Sequence, residues 1–323
     1  MYDLTRLRIL REVHLRGTLA AAAEALALDP STVSHQLRRL ERETGVRLTE
    51  PVGRGVRLTP ESLVLVRHTE SILEHLARAE AEIAAGRDTV RGHVRLATFQ
   101  TAAHTIVPEA LAALRAAHPD LTVSFRHLEV EEALPALLAH DFDLVLQEEY
   151  PDRPRRRATG AVISPIGADR LWLVGPVTDE EDGRTRPADL AALDDHDWVM
   201  EPLGTHARAW ARAECHRAGF EPRVTFETSD MLLHLRLASS AARTVAFVPA
   251  LALEAGENAT GNSVAGGGAS GGDTAGSPWR LGRLPGDPHR TVSVAFRRGS
   301  DDSPALTAVR EALTAAMVRR GLG

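Results

Sequence analysis

The sequence predicts an α+β multidomain protein, with an all-α winged helix-turn-helix at residues 1–59, a long linker helix at 60–89 and a two-lobed α/β domain at 90–323. Three observations carry that expectation. Short helical periods crowd the first sixty residues, a heptad-spaced apolar seam follows them, and strands alternate with helices beyond Gly92.

Leu4, Leu7, Leu10 and Val13 recur at helical spacing, and Gly17 closes that helix. Thr18 fits the N-cap of a short alanine-rich helix running to Leu26, while Asp29 and Pro30 open a third helix that stops at Gly45. A tight link between the second and third helices makes this a helix-turn-helix. Residues 46–59, VRLTEPVGRGVRLT, alternate around a Gly-Arg-Gly tip and read as a hairpin wing. From Pro60 to about Gly86 one helix carries Leu65, Thr69, Ile72, Leu76, Ala79 and Ile83 at alternating steps of four and three. Such a seam needs a partner helix, and Leu65, Ile72, Leu76 and Ile83 are its dimerisation candidates. The alternative is a single helix lying on its own domain.

Repeating β-α units then imply a mostly parallel sheet flanked by helices. HVRLATF, LTVSFRHLE and FDLVLQEE are the strands of a first lobe, at about 90–160 with a return segment near 291–323. LWLVGP, WVMEP, RVTFETS and TVAFVPA belong to a second, at about 161–290. Residues 256–278 interrupt it with glycine, serine, asparagine and alanine, a composition expected to form a disordered loop.

Charge is distributed unevenly. The chain of 323 residues has a net charge of -6, yet residues 1–60 hold ten arginines against seven acids. That excludes a generally basic coat and lets the N-terminal part approach a polyanion. The single cysteine, Cys215, excludes an intramolecular disulfide and a cysteine-based zinc cluster, and suits a reducing cytoplasm. The arginine-rich N-terminus is neither signal peptide nor anchor, so a cytoplasmic location with no membrane partner is expected.

Several motifs carry little. Gly266 to Gly271 satisfies G-x-G-x-x-G without the flanking strand and helix that a dinucleotide needs. Asp194, Asp195, His196 and Asp197 point different ways from a polar turn, and no metal or other cofactor is expected. No catalytic motif is set by spacing.

The third helix, in DPSTVSHQLRRLERETG, fares differently. Val33, Leu37 and Leu40 share one face, and Ser31, His35, Arg38 and Arg42 the other. A helix after a tight turn can enter the major groove, where serine, threonine, histidine and arginine read base edges and further arginines meet phosphates. Ser31, Thr32, Ser34, His35, Arg38 and Arg39 are the candidates there, with Thr18 before them and Arg54 and Arg57 on the wing.

LRILREVHLRGTLAAAAEALALDPSTVSHQLRRLERETGVRL, followed by GRGVRLTPES and a long helix, closely resembles the N-terminal domain of LysR-type transcriptional regulators. The ordered matches are Gly17-Thr18, Ala22-Ala23, Leu26, Val33-Ser34, Leu40-Glu41, Gly45-Val46 and Leu58-Thr59. Pro108, His118-Pro119, FDLVL, Gly219 to Pro222 and Val248-Pro249 resemble that family's effector domain more loosely. Thr49 and Pro51 replace a phenylalanine and an arginine usual there, and Ser62 a common glycine.

The resemblance implies a homodimer or homotetramer on an imperfect inverted repeat of double-stranded DNA, with RNA polymerase as a further partner if it activates. It also implies a periplasmic-binding-protein-like effector domain. Ligands sit outside the carboxyl ends of strands, which selects Thr98, Phe99, Gln100 and Thr101 on one lobe. Glu201, Thr205, Ser229, Asp230, Val248 and Pro249 would face them from the other. The rival expectation is a small-molecule-binding or transforming enzyme whose N-terminal helices form only a dimerisation cap.

Overall fold

Helix α1 (Leu4–Arg16) opens where Asp3 accepts the Thr5 N–H at 2.8 Å. Helix α2 (Leu19–Ala25) is capped by the Thr18 hydroxyl on the Ala21 N–H at 3.1 Å. Helix α3 (Pro30–Thr44) begins with Pro30, while Asp29 makes no side-chain cap. Asp29 holds the expected N-cap position in extended backbone, and the fixed proline φ at the next residue favours the helix start. It ends at Gly45, whose φ of 72° is the left-handed conformation that glycine adopts without strain. Leu7, Leu10, Val13, Val33, Leu37 and Leu40 close the core between the three helices. The computed structural model describes all residues except 1, 53–54, 87–88, 154–159, 176–179, 182–183, 186–188, 241–242, 261–280 and 323.

Strands β1 (Thr49–Val52) and β2 (Gly55–Leu58) form the antiparallel wing. Glu41 of α3 holds it, its Oε1 accepting from the N–H groups of Leu48 at 2.8 Å and Thr49 at 3.2 Å and from the Thr49 hydroxyl at 3.3 Å. A hydroxyl at position 49 thus binds the wing to the helix by a polar link. Helix α4 (Pro60–Ala85) is capped by Thr59, and buried Ser62 donates to the Leu48 carbonyl. Along α4 the six-residue seam divides. Leu65 packs against the helix-turn-helix core and Thr69 is buried, its hydroxyl on the Leu65 carbonyl. Ile72, Leu76 and Ile83 stand 41%, 44% and 67% exposed. Leu65 is thus partly covered by its own domain, in contrast to these three.

In the first lobe β3 (Gly92–Thr98) leads through α5 (Gln100–His104) and α6 (Ile106–Ala117) to β4 (Leu121–His127). Helix α7 (Val130–Leu138) and β5 (Leu144–Glu149) follow, and β6 (Ala161–Val174) leaves for the second lobe. The two-residue strands β7 (Glu180–Glu181) and β8 (Arg184–Thr185) pair with each other. The second lobe contains β9 (Asp197–Met200), α8 (His206–Arg217), β10 (Arg223–Glu227), α9 (Met231–Ser240), β11 (Thr244–Pro249), α10 (Ala250–Thr260) and β12 (Leu281–Arg283). Strand β13 (His289–Arg297) and α11 (Pro304–Arg319) return to the first.

The strands follow one path, β10-β9-β11-β6-β13-β5-β3-β4, with β12 beside β6. β3 is parallel to β4 and β5, and β9 to β10 and β11; β6 and β13 cross between the lobes antiparallel to each other. Residues 161–170 of β6 pair with β13, and 171–174 with β11. The lobe boundary falls inside this 14-residue strand, later than the expected residue 161, because one strand serves both sheets. Residues 256–260, expected in the disordered loop, complete α10, while 261–278 lie outside the described residues.

The helix-turn-helix rests on the first lobe. Arg16 makes a two-oxygen contact with Asp141 at 2.8 and 2.9 Å, and Arg11 donates to the Leu138 carbonyl at the end of α7. Gly299 approaches α4 so closely that a Cβ there would lie 2.4 Å from the Glu74 carbonyl oxygen.

Candidate nucleic-acid interface and interlobe cleft

The outward face of α3 is polar and solvated. Ser31, His35, Arg38 and Arg39 are exposed, and Thr32 and Ser34 half-buried beside them. Arg38 folds back on its own helix, donating to Ser34 Oγ at 3.3 Å and not to a carboxylate. Arg39 reaches Glu43 at 3.8 Å while 53% exposed, a contact weak enough to yield to a phosphate. Arg57 on the wing pairs with Glu50 at 2.9 Å and is 71% exposed. Thr18 is an exposed cap at the start of α2, and Arg54 lies outside the described residues.

The interlobe cleft is built around Arg290 at the start of β13, which is only 2% exposed. Its Nε donates to Asp169 Oδ2 at 2.9 Å, its Nη1 to Glu148, and its Nη2 to Thr101 Oγ1 at 2.8 Å. The guanidinium also lies 5.1 Å from the centre of the Phe99 ring. Burial opposes the charge, but Glu148 and Asp169 more than offset it, so Arg290 stays protonated. Asp169 is wholly buried, and its second oxygen accepts the Leu251 N–H of α10 at 3.2 Å. Burial, with Glu148 and Glu131 nearby, pushes Glu201 up to about 8.

Three hydrogen bonds among the described residues link the lobes across the cleft. Gln100 donates to Asp230 Oδ1 at 2.9 Å and accepts the Met231 N–H at 2.8 Å; Glu131 of α7 accepts the His206 N–H of α8 at 3.3 Å.

Phe99, Gln100, Thr101, Glu201 and Ser229 come together as cleft lining, and Pro249 walls the chamber behind Glu201. Thr98 and Val248 are buried at 1% and 0%. Thr205 and Asp230 cap α8 and the start of α9, on the N–H groups of Arg208 and Leu232. Thr101 is 2% exposed, and its hydroxyl accepts from Arg290 Nη2, which ties it to that arginine. Sequence reasoning missed Arg290, Asp169, Glu148, Glu131 and His234. The available signal was a charge inside an apolar strand, as in GADRLWLV or HRTVSVAF.

Residues 4–62 match the family model described as bacterial regulatory helix-turn-helix protein, lysR family, and residues 87–262 match the LysR substrate binding domain. The chain belongs to the LysR family of transcriptional regulators. It is similar to the HTH-type transcriptional regulator TcbR of a Pseudomonas species, 30% identical over 72% of this chain and 78% of that protein. The transcriptional dual regulator GltC of Bacillus subtilis is 26% identical over 71% of this chain and 75% of that protein. A full-length OxyR variant from Pseudomonas aeruginosa shares the fold, with a TM-score of 0.65 and 17% identity over 97% of this chain and 95% of that one. This LysR regulator thus joins a DNA-binding helix-turn-helix to an effector-binding domain. No helix among its described residues is long and apolar enough to cross a membrane.

Proposed function

We propose that this LysR regulator reads promoter DNA with Ser31, Thr32, Ser34, His35 and Arg38 of α3, and anchors to phosphates through Thr18, Arg39, Arg54 and Arg57. The observation that carries the proposal is the outward face of α3, where arginine stands in solvent without a carboxylate partner at Arg38. A dimer through Leu65, Ile72, Leu76 and Ile83 presents two such faces, for half-sites about 34–36 Å apart or at multiples of that spacing. Sedimentation of Ile72→Glu checks that seam, with loss of the dimer expected because a charge would be buried. The protein acts in the cytoplasm as a regulator and not as an enzyme, with promoter DNA, a second copy of itself and a small-molecule effector as partners.

The effector occupies the cleft and reaches the DNA-binding domain through α7. Glu131 lies near the start of that helix and spans the cleft, whereas the Leu138 carbonyl at its end receives Arg11 of α1. A ligand that resets Glu131 can therefore shift the helix on which α1 rests. Such a ligand changes DNA binding only through different affinity for two arrangements of the chain. A peroxide response, which the printed name of a Mycobacterium xenopi relative suggests, is disfavoured here. Cys215 is fully buried, and burial beside Glu214 pushes its thiol up to about 12.

A genome-wide footprint of the wild type and of Arg38→Ala tests the reading. Discrete inverted-repeat sites that vanish in the variant are expected. Identical occupancy would remove α3 as the reader.

A further inference from the structure

The interlobe cleft is dominated by acceptors. Glu129, Glu131, Glu148 and Glu201 line it together, with His127 at the rim and Arg290 as the arginine among its lining residues. Arg290 is committed to Asp169, Glu148 and Thr101, as described above. The two helix starts in the second lobe that face the cleft are also engaged. Glu131 accepts from His206 at the start of α8, and Gln100 from Met231 at the start of α9. Among the described residues, the arginine and these two N–H groups, which could otherwise hold an incoming carboxylate, are thus engaged by this chain's own oxygens. A carboxylate would also have to enter beside Glu129 and Glu131, and like charges side by side discriminate against an anion.

The chamber behind Glu201 supplies a second and independent observation. His234, 2% exposed, lines that chamber with Glu201, Trp210, Phe247 and Tyr150. Its Nε2 is engaged on the Thr228 carbonyl at 2.8 Å, which makes Nδ1 an acceptor, and that buried Nδ1 has no hydrogen-bond partner. Buried acceptors without partners are costly and mark places where a donor belongs. Trp210 packs against two other rings nearby, tilted on Tyr150 with centroids 5.5 Å apart and edge-on to Phe247 at 5.2 Å. The site therefore combines carboxyl oxygens, an orphan acceptor and an aromatic wall.

We propose that the effector is a small cation, an amine, amidine or guanidine, whose N–H donors meet Glu131 and Glu201. This rests on reading the cleft as the effector site.

A proton accompanies the ligand. Glu201 is faced by Glu148 of β5, Glu131 of α7, Arg290 of β13, Arg208 of α8, His234 of α9 and the Tyr150 hydroxyl. With its carboxyl raised to about 8, Glu201 is mostly protonated near neutrality. A bound cation favours the carboxylate, so binding near neutrality expels a proton and strengthens as pH rises toward that value.

Benzamidine, benzamide and benzoate share a shape and differ in charge, so they separate the possibilities in titration calorimetry on the full-length protein. Benzamidine is expected to bind at least tenfold tighter than benzamide, and benzoate not at all. Repeating the titration near neutrality in buffers of different ionisation enthalpy should show proton release that Glu201→Gln abolishes. Glu131→Gln should weaken benzamidine at least tenfold, with circular dichroism showing the fold intact. Benzoate binding more tightly than benzamidine, or benzamidine no better than benzamide, overturns the cation while leaving the cleft as effector site, provided Glu131→Gln alters whichever probe binds. Failure of all three, and of agmatine and succinate, at millimolar concentration overturns both the cation and the effector reading.

Discussion

The polar face of α3 and the interlobe cleft both rely on arginine, in opposite settings. Arg38 and Arg39 stand in solvent, where a charge costs little and a polyanion can reach it. Arg290 is 2% exposed and enclosed by Asp169, Glu148 and Thr101. The α3 face keeps its cations in solvent, whereas the cleft pairs its buried cation internally. The first surface is therefore replaceable without loss of fold, and the second is not.

The largest expected effect follows from breaking the buried arrangement. Arg290→Met would leave Asp169 and Glu148 without their cation, and removing one partner of a buried pair typically costs about 3–5 kcal/mol. Urea denaturation should show that loss. A variant as stable as the wild type would mean that the cleft's charges are not coupled as the distances indicate.

A smaller change sharpens the same point. Thr101→Val keeps the shape and removes the hydroxyl that accepts from Arg290 Nη2 at 2.8 Å. A cost of about 1–3 kcal/mol is expected for a charged donor left short of an acceptor. A stable variant whose reporter dose-response alone is blunted would restore Thr101 as a direct effector contact.

Glu201 gives the comparison a pH signature. Its folded pKa is raised, so the folded state holds a proton that the unfolded chain has released above its ordinary carboxylate range. That contribution is fully present at acid pH and is lost as pH rises toward about 8. Glu201→Gln should therefore flatten the fall in melting temperature over that range. Superimposable pH profiles for variant and wild type would contradict it.

The smallest expected effect lies at the contact between the DNA-binding domain and the first lobe. Arg16 and Asp141 have side chains 26% and 33% exposed, so Asp141→Ala should cost only about 0–1 kcal/mol of stability. It should nonetheless reduce the response of DNA binding to a cleft ligand, measured by fluorescence anisotropy with and without benzamidine. An unchanged response would free α1 from the α7 route.

The helix-turn-helix was legible because its signals are local. Thr18, Pro30, Gly17 and Gly45 each act within a few residues of the helix end they mark. The α4 seam was legible only in part, since spacing shows which residues share a face but not that Leu65 also packs against its own domain. The extent of β6 was obscured by Pro165 and Gly167. Its register with β13 shifts beside Pro165, and Gly167 passes so close to Leu322 that a Cβ would lie 2.2 Å from its carbonyl oxygen. The cleft was the least legible, because Arg290 meets Asp169 and Glu148 across 121 and 142 residues. No local pattern pairs groups that distant.

The central claim is that exposed α3 reads DNA, and its most direct test is equilibrium binding to a footprinted promoter fragment over about 50–200 mM salt. The logarithm of the wild-type affinity should fall linearly with the logarithm of salt concentration, as phosphate neutralisation requires. Arg38→Ala should lose about 1–3 kcal/mol on that fragment and much less on a scrambled one. Equal affinities of wild type and variant for the promoter fragment at every salt concentration would contradict the account.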